Sequence, residues 1–237
     1  MNNPFDFFDE IYCINLAHRT DRWEECKENF KKLGIDGRVK RFEAKDHKDN
    51  PIVNPRDRGK LGCTHSHIEI IRQAKVNKLK NVLIFEDDFH VHINPNVVID
   101  KLKSCIEEIP ENWDLFYLSG NPLNHPESVK NFSDNLCVVK LTFALHAFAA
   151  NQLSYEQILQ GAETSDDVEK LAHAIVTSHH VSVDGYYMHR ILPNEKSYMC
   201  KSLLFTQRNS FSNIDYDNRD INNLIIVMYK NHNILEV

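Results

Sequence analysis

The decapeptide NVLIFEDDFH, residues 81–90, constrains the possible folds of this chain more than any other stretch. Val82, Leu83, Ile84 and Phe85 form an unbroken apolar run, the pattern of a strand buried on both faces of a parallel sheet. The run leads directly into Glu86, Asp87 and Asp88. Adjacent carboxylates repel one another and each is costly to desolvate, so packing gives no reason to end a buried strand this way. Such a cluster can hold a hard divalent cation through oxygen ligands, and open α/β sheets collect ligands at the carboxyl ends of their strands. Residues i and i+2 of a strand share a side. Glu86 and Asp88 are therefore expected to face one site and Asp87 to point elsewhere. By itself the triplet also fits a solvated acidic turn that caps a following helix, and its surroundings must decide.

Those surroundings alternate strand and helix. IYCINL (11–16) reads as a first strand. Thr20 then caps a helix whose apolar face carries Trp23, Cys26, Phe30 and Leu33, with Gly34 as its stop. Arg19 and Arg22 lie at the strand–helix junction, where basic side chains and free helix N–H groups can meet an anion together; surface arginines would look the same. A short strand over 38–44 precedes a polar loop over 45–60, long enough to suggest a functional loop. In LGCTHSHIEIIRQA, Thr64 or Ser66 is expected to cap a helix with Ile68, Ile71 and Ala74 inward, placing His65 and His67 at its start. No further Cys/His grouping lies close by in sequence, so these histidines read better as hydrogen-bonding groups than as a zinc site. After the acidic strand, Pro95 opens a helix that Pro110 ends, and WDLFYLS (113–119) forms another strand running into a Gly120-Asn121-Pro122 turn. This order predicts a Rossmann-like, mostly parallel sheet with helices on both faces. No GxGxxG occurs to support a dinucleotide site.

The second half is harder to read. A strand is expected over 136–141. The segment 144–150 is small and apolar without an assigned element. Helices follow over about 154–161 and 166–176. A short apolar strand is expected just before Asp184, and a last strand over 197–207. The tail from 213 ends in an apolar stretch that reads as a docking helix or strand, on its own domain or on a second subunit, so a homodimer is possible.

The whole 237-residue chain can make one large or two small domains. Its net charge of -6 gives no general attraction to nucleic acid. Cys13, Cys26, Cys63, Cys105, Cys137 and Cys200 form no CxxC pair and read as buried free thiols of a reducing compartment. MNNPFDFFDEIY lacks the basic region of a signal peptide, and no apolar run approaches a membrane span of roughly 20 residues. A soluble cytoplasmic protein is the expectation.

The runs INLAHRTDRW, LGCTHSHIEIIRQA, VLIFEDDF and WDLFYLSG, in this order and spacing, resemble glycosyltransferase family 25, which includes lipopolysaccharide-biosynthesis glycosyltransferases and procollagen galactosyltransferases. The likeness is good over about 11–120 and looser to about 210. It implies one α/β domain of GT-A type over 1–237: a nucleotide-sugar half over about 8–123, an acceptor half over about 124–212, and a tail over 213–237. It also implies an inverting transfer of a hexose from a UDP-sugar to a hydroxyl of a glycan or protein acceptor, with Mn2+ or Mg2+ as cofactor. The family's Asp-x-Asp position falls on Glu86-Asp87-Asp88, which makes Asp88 and Glu86 the expected metal ligands, with Glu86 or Asp87 toward the ribose. Asn15, Leu16, Arg19 and Arg22 match the N-terminal motif by the uridine and diphosphate, and Ser66 and His67 match a Ser-His pair near the nucleotide. Asp184, in VDGYYMH, is the candidate general base or acceptor-recognition residue. Gln207 matches a late motif that closes the site, and Tyr186, beside Tyr155, Tyr187 and Phe148, is a candidate to stack on a sugar ring, although such aromatics are commonly core. Two departures stand out: Glu86 in place of a first Asp, and ALHAFAANQLS, with His146, where an aromatic-rich stretch near the acceptor is usual. Two other readings stay open, a non-catalytic binding protein of the same fold and a metal-dependent nucleotidyltransferase or phosphohydrolase.

Overall fold

The apolar runs of the first half assemble as neighbouring strands in the computed structural model, which describes residues 3–91, 93–178, 182–208, 226–227 and 229–230. In chain order the elements are β1 (Glu10–Asn15), α1 (Thr20–Leu33), β2 (Val39–Glu43), α2 (Arg58–Val76), β3 (Asn81–Glu86), β4 (Phe89–Val91), α3 (Pro95–Glu108), β5 (Leu115–Pro122), β6 (Val129–Asn131), β7 (Leu136–Val139), β8 (Thr142–Asn151), α4 (Gln152–Leu159), α5 (Ser165–Ser178), α6 (Val183–Arg190), β9 (Ser197–Cys200) and β10 (Phe205–Gln207). One sheet runs β2-β1-β3-β8-β5-β9-β7-β6, and β4 with β10 makes a separate two-stranded ribbon. Only β8 and β7 run against the direction shared by the other six strands. The mostly parallel, Rossmann-like α/β sheet expected from the sequence is the one the chain forms.

Strand alternation divides the core. Ile84, Ile14 and Phe148 face α2 with Ile68 and Ile71. Leu83, Phe85 and Cys13 face the opposite side, with Cys26 and Phe30 of α1 and Leu102 of α3. Gly34 ends α1 at φ 68, its N–H reaching the carbonyls of Lys31 and Phe30, a left-handed stop that glycine adopts without strain. The six cysteines are free thiols, and all but Cys63 are buried.

Several expectations fail. Helix α2 begins at Arg58, after a short 3-10 turn at Pro55–Asp57 whose Asn54 side chain accepts from the Arg56 N–H. Thr64 and Ser66 are therefore interior residues rather than caps, and His65 and His67 lie buried inside the helix. Leu61 drives the earlier start, being fully buried against Ala172 and Val176 of α5. The expected Gly120-Asn121-Pro122 turn is the end of β5. The unassigned 144–150 segment is the central strand β8, between β3 and β5, where Ala147, Ala149 and Ala150 are fully buried. The strand expected over 197–207 is two strands in different sheets. Among the described residues Asp184 directly follows no strand: it sits in the first turn of α6, and Val181 lies outside the described residues. Most of the tail lies outside them too. Residues 226–227 and 229–230 are helical, and the buried Tyr229 hydroxyl accepts from the Gly120 N–H at 3.2 Å.

Candidate functional site

β1 and β3 are adjacent and parallel, with Ile14 opposite Glu86, so their carboxyl ends bring Asn15 beside the acidic triplet. The three acids then part company, as the strand period predicts for the first two. Asp87 turns toward α1. Its carboxylate accepts from Asn15 Nδ2 at 2.6 Å and from Arg22 Nη1 at 2.7 Å, and its backbone carbonyl accepts from Arg208 at 2.5 Å. Asn15 is itself fixed, its Oδ1 accepting from Arg41 Nε at 2.9 Å and Nη2 at 2.5 Å. Arg41 also donates to the Leu16 and Ala17 carbonyls and lies over the Trp23 ring. Arg19 pairs with Asp21 at the rim, at 2.8 Å.

Glu86 turns the other way, toward α2. Its Oε1 lies 2.9 Å from His67 Nε2 and 3.6 Å from the Cys63 thiol. The His67 ring is fully buried and packs on Phe148. Glu86 is held below the ordinary carboxylate range: burial pushes its carboxyl up, but His67, His146 and Cys63 together outweigh that.

Asp88 is the under-satisfied member. Oδ2 accepts from Gln207 Nε2 at 3.2 Å, and Oδ1 is buried with no partner among the described residues. Burial first, then the charges of Glu86 and Asp87, push its carboxyl up to about 8. β10 supplies Gln207 by pairing with β4, Gln207 opposite Phe89, which brings this late residue onto Asp88.

Asp184 fixes one oxygen, Oδ1, by accepting from the Ser182 hydroxyl and, at 2.9 Å, from the Gly185 N–H. Glu86, Asp184 and Asp88 all act on the Cys63 thiol, which burial, and then these acids, hold well above its ordinary pKa. All three acids are thus within electrostatic reach of that thiol. His146, on β8, is within reach of Glu86: burial lowers the imidazole to about 4 against the pull of Glu86, and Nε2 lies 3.4 Å from the Phe205 carbonyl. β8 is irregular here, its pairing with β5 slipping between Ser119/Ala147 and Asn121/Phe143, with Ala144 at φ 66. A bulge of this kind re-aims side chains beside a site.

Two expected residues are elsewhere. Ser66 is buried and committed, donating to the Gly62 carbonyl at 2.7 Å and accepting from the Lys45 N–H at 2.9 Å, which ties the start of the long loop to α2. Gly62 makes that approach possible, since a Cβ there would sit 2.4 Å from the Lys45 carbonyl oxygen. Tyr186 is core: its hydroxyl donates to the Ile158 carbonyl at 2.8 Å and accepts from Gln160. Tyr155, Tyr187 and Phe148 are likewise buried, so none of the four offers a face to a sugar. Sequence reasoning assigns no role to Cys63, Arg41, His146 or Arg208, all of which border the acids or their supports. Cys63 has a signal, its spacing of four from His67, which shares a helix face once both are known to be helical.

Asp88 and Glu86 offer carboxylate oxygens, the hard donors that could hold Mn2+ or Mg2+, and Asp88 Oδ1 is buried without a partner among the described residues. Among the described residues no helix is long and apolar enough to cross a membrane.

The sequence profile of glycosyltransferase family 25 (LPS biosynthesis protein) matches residues 8–191. Procollagen galactosyltransferase 1-A of Xenopus laevis is 32% identical over 128 residues, 47% of this chain and 21% of that protein. Inactive glycosyltransferase 25 family member 3 of Homo sapiens is 29% identical over 136 residues, 49% of this chain and 22% of that protein. Procollagen galactosyltransferase 2 of Mus musculus is 26% identical over 175 residues, 66% of this chain and 27% of that protein. The matched part is therefore 21% to 27% of the length of these relatives. Among solved structures, mannose-1-phosphate geranyltransferase from Thermus thermophilus superposes with a TM-score of 0.45 at 9% identity, covering 81% of this chain and 72% of that one.

Proposed function

This chain belongs to glycosyltransferase family 25, and from that premise we propose that it is a metal-dependent, inverting transferase moving a hexose from a UDP-sugar to a hydroxyl of a glycan or protein acceptor. The observation that carries the reading is Asp88, a half-buried side chain with a buried, unpartnered carboxylate oxygen just past the carboxyl end of β3. Asp88 and Glu86 would hold Mn2+ or Mg2+. When bound, that ion supplies Lewis-acid stabilisation of the leaving diphosphate. Asp184, oriented by Ser182 and the Gly185 N–H, accepts the proton of the acceptor hydroxyl. Asp87, locked by Asn15 and Arg22, shapes the nucleotide wall and keeps Asn15 and Leu16 in place. Arg19, at the start of α1, is the basic group on the diphosphate side, and Gln207 orients Asp88.

Several matched relatives carry inactive in their names, which supports a second reading, donor binding without transfer. Thermal unfolding with UDP, with and without Mn2+, on wild type and Asp88→Ala tests the first. Ligand at a hundredfold excess over Kd stabilises the native state by about 2.7 kcal/mol, a rise of about 5–10 °C for a domain this size. A Mn2+-dependent rise that Asp88→Ala lacks is the expected result, and a UDP-sugar panel with sugar release as readout then separates turnover from binding. No rise at millimolar UDP and Mn2+ overturns the proposal.

A further inference from the structure

We propose that Cys63, His67 and Glu86 form a separate site for a thiophilic divalent ion such as Zn2+, whose occupation withdraws Glu86 from the acid cluster. The Cys63 Sγ, His67 Nε2 and Glu86 carboxylate oxygen all lie within 4.8 Å of one another. Cys63 and His67 are one helical turn apart on α2, and residues at that spacing share a face. Glu86 ends β3, which packs beneath that face through Ile84 and Ile68. All three donors therefore stand on helix or strand, the kind of support that keeps ligand geometry fixed.

The donor set is the one Zn2+ takes when it keeps a position open: three protein ligands drawn from Cys, His and carboxylate. Bond lengths of roughly 2.0–2.3 Å separate ligands by about 3.5 Å across a tetrahedron. Sγ already stands 3.6 Å from Glu86 Oε1, and His67 Nε2, at 2.9 Å, has only to draw back by about half an ångström. Charge also balances: one thiolate and one carboxylate neutralise a divalent ion, so the bound site brings no net charge into a largely buried place. Asp184, whose charge also reaches Cys63, adds to the attraction for a cation.

The protons balance as well. In the metal-free protein Cys63 holds its proton against Glu86. Binding forms the metal–sulfur bond and releases that proton to solvent, while the His67 proton at Nε2 moves to Nδ1, which has no partner among the described residues. A hard ion such as Mn2+ prefers oxygen ligands and does not compete for this thiol. Glu86 is common to both sites, so a thiophilic ion here opposes the Mn2+-dependent site. That consequence rests on the proposed transferase reading, whereas the binding itself does not.

The test uses the whole chain, stripped with EDTA and titrated with Co2+ as a spectroscopic stand-in for Zn2+. One equivalent is expected to produce a thiolate-to-cobalt charge-transfer band with tetrahedral visible bands. Stoichiometric Zn2+ bleaches both, and excess Mg2+ leaves them. Cys63→Ser and His67→Gln each lose the charge-transfer band or weaken Co2+ binding at least tenfold, while Cys105→Ser keeps it. No charge-transfer band in wild type, or one that survives Cys63→Ser in full, overturns the proposal. One equivalent of Zn2+ is further expected to suppress the Mn2+-dependent UDP shift of wild type and to leave that of Cys63→Ser. If the band appears but no protein shows a UDP shift, the donor-site reading falls and the thiophilic site stands.

Discussion

Asp88→Asn is expected to stabilise the metal-free protein. The carboxyl of Asp88 stands at about 8 in the fold against 3.8 in a free chain. Each tenfold in proton affinity corresponds to 1.36 kcal/mol, so holding Asp88 in the fold at pH 7 costs about 4 kcal/mol relative to the unfolded chain. Asp88 retains some solvent exposure, and screening reduces the figure to about 2–4 kcal/mol. The sign follows from proton counts. Between about pH 4 and pH 8 the native state holds a proton that the unfolded state has lost, so stability falls as pH rises through that window and levels off above it. Asn keeps the shape of the side chain and an oxygen for Gln207 while removing the charge. In EDTA at pH 8, Asp88→Asn should unfold about 5–15 °C above wild type, and the gap should close near pH 4. Mn2+ should reverse the order, since wild type gains stability from the ion and the variant does not. Thermal scans across pH in EDTA measure this. Equal or lower stability of Asp88→Asn at pH 8, or a gap that does not change with pH, refutes the reasoning.

Asp87→Ala should act in the opposite sense one residue away. It breaks the largely buried pair with Arg22 and should lower stability by about 3 kcal/mol in urea titration. Gly62→Ala drives a methyl group toward the Lys45 carbonyl and should lose about 1–3 kcal/mol, with faster proteolysis over 45–57. His65 and His146 are both lowered to about 4 by burial, so the unfolded chain takes up protons that the native state refuses. Stability should fall from about pH 6.5 to pH 4 by up to about 3 kcal/mol for each, and His146→Gln should flatten that acid limb in pH-dependent denaturation. Asp184→Asn should reduce sugar transfer by about 10²–10⁴-fold while leaving the UDP-induced thermal shift in place; loss of both together would make Asp184 a structural residue.

The parts of the fold that are legible in the sequence are those where one period runs uninterrupted. Trp23, Cys26, Phe30 and Leu33 repeat with the helix, and α1 stops at Gly34 as expected. Thr20 is its first helical residue rather than its cap, Arg19 standing at the N-cap position without a side-chain cap bond. The step from Glu86 to Asp87 follows the strand period, and the two carboxylates do face opposite sides of the sheet. The start of α2 is hidden because Arg58, Gly59 and Lys60 carry no apolar period, and the helix is fixed there by Leu61 packing against a helix more than a hundred residues away. β8 is hidden by its alanines, poor strand formers in isolation, which suit a strand buried between two others. Residues 183–187 look like a strand and turn, but Tyr187 belongs in the core beneath α6, and tertiary burial overrides local preference. The site's long-range contacts, such as Asp88 with Gln207 across 119 positions, leave no local trace.

The two adjacent aspartates show why the acidic triplet does more than cap a strand. If it were a solvated turn, Asp87 and Asp88 would be treated alike. Instead the Asp87 carboxylate receives an amide and a guanidinium, and its carbonyl receives a second guanidinium. Asp88, its neighbour, accepts from the Gln207 amide at one oxygen and keeps the other buried without a partner among the described residues. The chain has arginines at hand, since Arg22 and Arg208 both bond to Asp87, yet neither satisfies Asp88 Oδ1. A fold that satisfies a buried carboxylate so fully at one position and leaves the next one short is what the proposed metal-dependent reading calls for, and the instability this leaves in the metal-free protein is the quantity that Asp88→Asn measures.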